Sequence, residues 1–232
     1  NVERVIVPIG GGGLLSGIAI AIKALKPDVE LVGVEVETYA SMNAHLSGKE
    51  GTFGGATIAD GIAVKAPGGI TANIVNQLVD KLITIKEFEV ERGVFKLLES
   101  ANVVAEGAGA APMGALLSRP ELQDGKNTVL LVCGGNIDLN TLANIIRRGL
   151  LNMKRVAKLR VLIDDRPGVL SKVTQVIGSV NGNILDVTHR RTSCEHSAKN
   201  AYLDLTIETA KPENLEEISE ASTAIGFKVT SI

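Results

Sequence analysis

The 232-residue sequence is 45% apolar and carries a formal net charge of -2, with both signs spread along it, so it can bury one large core or two smaller ones. This excludes general disorder and leaves no basic stripe to neutralise a nucleic-acid backbone. The two cysteines, Cys133 and Cys194, fit neither a disulfide framework nor a zinc spacing, and the apolar runs fall far short of the roughly 20 residues that cross a bilayer. A cytoplasmic protein that handles small molecules or protein partners is expected.

The sequence opens at Asn1 with neither an initiator methionine nor a signal pattern, and a fragment of a longer protein is expected. Val2 to Ile9 reads as a strand buried on both faces, as in a parallel sheet. Four glycines follow, and then Leu14, Leu15, Ile18, Ile22 and Leu25 recur at helical spacing up to Pro27. Leu31, Val32, Val34 and Val36 predict the next strand. The glycine-rich stretch from Gly48 to Gly69 reads as a long functional loop. Beyond it, Ile74 to Val79 suits a short helix, Leu82 to Ile85 a short strand, and Phe88 to Leu98 an amphipathic helix. Ala108 to Leu117 predicts a tightly packed helix, Thr128 to Cys133 an apolar strand, and Asp138 to Leu151 a helix. This α/β domain is placed at residues 1–153.

From Lys158 the pattern changes. Leu159, Val161 and Ile163 alternate with more polar residues, Val169 to Val180 marks a helix, and Asn181-Gly182-Asn183 ends it. Ile184 to Arg191 and the alternating Leu203, Leu205 and Ile207 give two more strands. A helix from Pro212 to Gly226 and a strand from Phe227 to Ile232 complete a βαββαβ order, a ferredoxin-like sandwich over 158–232. His45, His189 and His196 show no ligand or triad spacing, and Cys194-Glu195-His196 falls in a hairpin-like connection with too few soft ligands for a metal site.

Glycines 10 to 13 fill the turn between a buried strand and a helix start, where unpaired N–H groups point outward and the helix dipole favours an anion. The loop has neither a dinucleotide-type G-x-G-x-x-G nor a P-loop lysine, so a small phosphorylated cofactor is expected.

Four segments carry a resemblance, in order: Val7 to Gly17, Ala59-Asp60-Gly61-Ile62-Ala63-Val64-Lys65, Glu106-Gly107-Ala108-Gly109-Ala110 and Cys133-Gly134-Gly135-Asn136. Together they resemble threonine ammonia-lyases, of the fold-type-II pyridoxal-phosphate enzymes. The resemblance implies half of a pyridoxal 5'-phosphate domain, with Gly10, Gly11, Gly12, Gly13 and Leu14 on the phosphate, Cys133 beside the pyridine nitrogen and Glu106 in the active site. It implies deamination of L-threonine to 2-oxobutanoate and ammonia, with serine dehydratase or racemase activity as the rival on the same scaffold. The Schiff-base lysine of the family's Ser-Phe-Lys-x-Arg motif is not in this sequence, so these residues alone are expected to be inactive. Glu35 matches a carboxylate of a cation site in related serine racemases, but Ser41 stands where a second carboxylate is needed, and no metal is expected.

Asp164-Asp165-Arg166-Pro167-Gly168-Val169-Leu170 resembles the first loop of ACT domains, which pair edge to edge and hold an amino acid between chains. That implies effector contacts from Asp165, Gly168, Asn183 and Ile184, with isoleucine or valine as candidate effectors, a role in isoleucine biosynthesis, and a homodimer or homotetramer. A non-catalytic amino-acid-binding module is the reading from a different class.

Overall fold

The computed structural model describes residues 1–191 and 197–232, so Cys194, Glu195 and His196 lie outside the described residues. Two compact units divide the chain, Asn1–Ile145 and Ile146–Ile232.

The first unit begins with β1 (Arg4–Pro8), α1 (Gly13–Leu25), β2 (Glu30–Val36) and the short α2 (Ser41–Leu46). It continues through α3 (Gly69–Leu78), β3 (Lys81–Ile85), α4 (Glu87–Ala101), α5 (Gly107–Ser118), β4 (Thr128–Leu130) and α6 (Leu139–Asn152), the last of which spans the division. The four strands form a parallel sheet in the order β3-β2-β1-β4. Every residue of β1 is buried, as its unbroken apolar run predicts for a strand covered on both faces. On one face Val5, Val7, Leu31 and Met42 pack with α1 and α3; on the other Ile6, Val32, Val34 and Val36 pack with α4 and α5.

Three elements differ from the sequence reading, the first being α3, which begins at Gly69, five residues before the expected Ile74. The strand expected over Thr128 to Cys133 stops at Leu130, although the Leu131 amide still donates to the Ile6 carbonyl at 2.9 Å. The chain then leaves the sheet towards Gly134, whose φ of +85° turns it away. Helix α2 has no apolar periodicity of its own, and at six residues it cannot persist without tertiary support.

Because β2 and β3 lie on one side of β1 and β4 on the other, the connections diverge at β1. In such a sheet the crevice beyond the carboxyl ends of the diverging strands is where ligands bind.

The second unit holds β5 (Val156–Asp164), α7 (Val169–Ser179), β6 (Asn183–Arg190), β7 (Asn200–Glu208), α8 (Glu213–Ala224) and β8 (Lys228–Ser231). Its antiparallel sheet runs β6-β7-β5-β8, the ferredoxin-like order expected from βαββαβ. The alternating Leu203, Leu205 and Ile207 face Val173, Ile177 and Ile218 in one core, and the polar partners of that alternation face away.

Candidate functional site

At the end of β1 the Ile9 amide donates to Val34 O at 2.8 Å, the last bond before the glycine loop. Gly12 caps α1 with a φ of +89°, a left-handed conformation that side chains resist. Its carbonyl accepts the Ser16 amide at 2.9 Å, and the amides of the first helical turn are left without partners inside the helix. The loop is braced from α3: the carbonyl of Gly11 accepts the Thr71 hydroxyl at 2.6 Å.

Glu106 and Cys133 reach the same place from the other side of β1. Glu106 is the cap residue of α5. Its amide donates to Gly134 O at 3.2 Å and its carboxylate accepts the Asn136 amide at 3.1 Å. A Cβ on Gly134 would stand 2.3 Å from Glu106 Oε1, so the carboxylate sits directly against the Cys133-Gly134 turn. Burial, and secondarily the charge of Glu106, raise the Cys133 thiol above its usual range and keep it neutral.

These segments enclose a cavity of about 220 Å³ lined by Gly10, Gly11, Gly12, Gly13, Leu14, Glu106 and Cys133, together with Pro8, Ile9, Leu15, Gly61, Ile62 and Ala108. The cavity thus gathers expected site residues that lie up to 123 positions apart in the sequence, from Gly10 to Cys133. Gly61, Ile62 and Ala108 add a wall to which no role was expected from the sequence. The signal was present in two of the quoted segments, where small residues leave room beside the carboxylate: a Cβ on Gly61 would stand 3.1 Å from Glu106 Oε1.

Whether this cavity suits a phosphorylated cofactor is decided by the two glycines that the protein itself does not need. Gly10 and Gly12 are excluded from larger residues by Val64, Ile62, Met42 and Thr71, but a Cβ on Gly13 meets nothing within 4 Å and one on Gly11 only Val64 at 4.0 Å. Both open onto the cavity, where backbone amides would lie closest to a bound phosphate. The neutral thiol that also lines the cavity suits an uncharged ring nitrogen. Of Lys23, Lys65 and Lys172, none lines the cavity; Lys23 is instead bonded to Asp80 at 2.9 Å and to the carbonyls of Pro27 and Val29.

Glu35 is buried on β2, and its two oxygens accept the Met42 and Asn43 amides at 2.7 and 3.0 Å, while Ser41 Oγ donates to Val64 O at 2.7 Å. In the second unit, Gly168 opens α7 with a φ of +88°. Asp165 is engaged within the chain: Arg191 Nε donates to it at 2.9 Å, and His189 Nε2 lies 3.4 Å away. Asn183 donates to Glu208 at 3.2 Å, and Ile184 packs against the core. Among the described residues no helix is long and apolar enough to cross a membrane.

A buried parallel sheet whose switch point carries a glycine cradle, a carboxylate and a neutral thiol defines an α/β cofactor-binding domain. The family model for pyridoxal-phosphate dependent enzymes matches residues 1–134, and that for the ACT domain matches 157–221. The chain is 39% identical over 231 residues to an L-threonine ammonia-lyase of Thermotoga maritima, covering 99% of this chain and 57% of that protein. It is 38% identical to an L-threonine ammonia-lyase of Geobacter sulfurreducens, covering 99% and 58%. Among solved structures, a T.th. threonine deaminase is 33% identical with a TM-score of 0.55, covering 60% of this chain and 52% of that one. Maize serine racemase is 31% identical with a TM-score of 0.56, covering 65% and 48%. The chain belongs to the pyridoxal-phosphate dependent enzymes and carries an ACT domain after the cofactor domain. It spans a little under three fifths of the length of the two curated relatives.

Proposed function

We propose that these residues form one wall of the active site of a threonine ammonia-lyase, which converts L-threonine to 2-oxobutanoate and ammonia in the cytoplasm, and that the second unit senses an amino-acid effector. The observation that carries the reading is the single cavity that gathers Gly10 to Leu14, Glu106 and Cys133 from three separate segments. When bound, pyridoxal 5'-phosphate supplies an electron sink for charge that develops at the substrate Cα.

Each wall has a separate task. The amides of Gly10 to Leu14 would hold the cofactor phosphate at the positive end of α1, and no cationic side chain is among the lining residues. Cys133 Sγ would offer a ring nitrogen a weak donor and no negative charge, and so would not favour its protonation. Glu106 fixes the Gly134 to Asn136 turn through the Asn136 amide, and so fixes the direction of Cys133. In the second unit, the start of α7 beyond Gly168 presents amides suited to a ligand carboxylate, with Asn183 and Ile184 at the start of β6. Asp165 contributes by holding that loop to Arg191, and it meets a ligand ammonium only if that pair opens. Pairing of ACT units in a homodimer or homotetramer completes the effector site, and feedback by isoleucine in isoleucine biosynthesis is the physiological setting proposed.

Similarity to maize serine racemase supports a second reading, with serine as the substrate of the same scaffold. The test is kcat/KM for threonine and for serine, measured on an enzyme of the relatives' length that contains these residues. A preference for threonine with 2-oxobutanoate as product is expected; a preference for serine, or racemisation without ammonia release, contradicts the proposal. The 232 residues alone, without the Ser-Phe-Lys-x-Arg lysine, are expected to give no turnover.

A further inference from the structure

Glu35 lines no part of the cavity, yet it is the one carboxylate in a strand otherwise made of buried apolar residues and glycine beyond its first position. Its side chain is 1% exposed, and among the described residues no cationic side chain contributes to its environment. A carboxylate buried in this way costs free energy unless its hydrogen bonds repay it.

Its partners indicate what it holds. The N-cap of α2 is Ala40, which has no side chain able to cap it, so the amides of Met42 and Asn43 would be left without acceptors. Glu35 reaches across from β2 and accepts both, at 2.7 and 3.0 Å. The cap of α2 is therefore supplied by the sheet.

From the start of α2, Met42 reaches the glycine loop directly and Ser41 reaches Val64, which borders it. Met42 is fully buried, and its methyl group lies where a Cβ on Gly12 would stand only 2.7 Å away. Ser41 Oγ donates to the Val64 carbonyl at 2.7 Å, and the Val64 side chain lies 3.0 Å from the corresponding point on Gly10. The line from Glu35 through α2 thus ends on two of the four glycines.

We propose that Glu35 is a positioning residue for phosphate binding: by capping α2 it sets Met42 and Val64, and through them the curvature of the Gly10 to Gly13 loop. This rests on the assignment of that loop to a phosphate, and deepens it by naming a residue that acts on the loop without touching the ligand.

The test is titration of the isotopically labelled 232-residue chain with inorganic phosphate at pH 8, following the glycine-loop amides by NMR. Glu35→Gln keeps the shape but offers one acceptor in place of two, and Met42→Ala removes the contact at the other end of the line. Each is expected to weaken phosphate by about tenfold, as for a lost charge-assisted hydrogen bond. The double variant is expected to be no weaker than the weaker single one, because both act through one connection. A residue with a purely structural role would shift stability without this non-additive loss of affinity. A folded Glu35→Gln chain that binds phosphate within about twofold of the parent chain overturns the proposal, as do additive losses in the double variant. If Glu35→Gln does not fold, Met42→Ala decides alone, and unchanged affinity there counts against the proposal. Failure of the parent chain to bind phosphate at all overturns the assignment of the loop, and the role of Glu35 with it.

Discussion

Glu35 also gives the fold a dependence on pH near neutrality. Burial raises its carboxyl from the usual 4.5 to about 7, against the two amides of Met42 and Asn43, which act to lower it. Between these values the folded chain holds a proton that the unfolded chain has released. The contribution is therefore fully present below about pH 4.5 and is lost as pH rises through about 7. Glu30, lowered to about 2 by Lys126, Lys81 and Arg4, acts in the opposite sense and at lower pH, where its contribution is lost as pH falls. In denaturant unfolding the difference in stability between Glu35→Gln and the parent chain is expected to move by about 3 kcal/mol in favour of the variant from pH 4.5 to 8. A difference independent of pH would show that Glu35 titrates normally. None of this was legible in the sequence, where Glu35 stood out only through a resemblance to a cation site. Its burial and its partners depend on where α2 comes to rest.

At the scale of elements, periodicity and turn residues carried most of the information. Within the run Val2 to Ile9, Arg4–Pro8 forms a strand whose two faces are both covered, while Val2 lies exposed ahead of it, and the strict alternation in Leu203, Leu205 and Ile207 marks a half-buried strand. Strand β4 is shorter than its apolar run, which continues through Val132, because pairing ends where the chain turns out at Gly134. The pairing of α4 with α5 could not be read from hydrophobic spacing at all, since it depends on absent side chains. A Cβ on Gly93 would stand 2.5 Å from the Ala110 carbonyl and 2.7 Å from the Gly114 amide, so the two helices meet backbone to backbone. Gly93→Ala is expected to destabilise the first unit by about 3 kcal/mol in chemical denaturation, because backbone cannot yield as a flexible side chain can. A loss below about 1 kcal/mol would mean that the helices separate at little cost.

For the whole molecule, the candidate site was legible where its residues follow glycine signals, as in Gly10 to Gly13 and Cys133-Gly134-Gly135. It was not legible where a neighbour acts at a distance, as Met42 and Val64 do on that loop. The second unit was recognisable from its strand and helix order, yet the partnership of Asp165 with Arg191 required coordinates. Calorimetric titration of this chain with isoleucine, with valine, threonine and serine for comparison, is expected to give saturable heat with isoleucine. The absence of heat with all four would remove isoleucine and valine as effectors of these residues.

The central claim is that the space beside Gly11 belongs to the cofactor phosphate, and substitution of that glycine tests it most directly. In Gly11→Ala the new methyl group meets no protein atom closer than 4.0 Å, so unfolding stability should stay within about 1 kcal/mol of the parent. Binding of pyridoxal 5'-phosphate, titrated by fluorescence on an enzyme of the relatives' length that contains these residues, should weaken by at least about tenfold, equivalent to about 1.4 kcal/mol. Unchanged stability with unchanged affinity would contradict the account, because it would leave the glycine loop without a ligand to explain it.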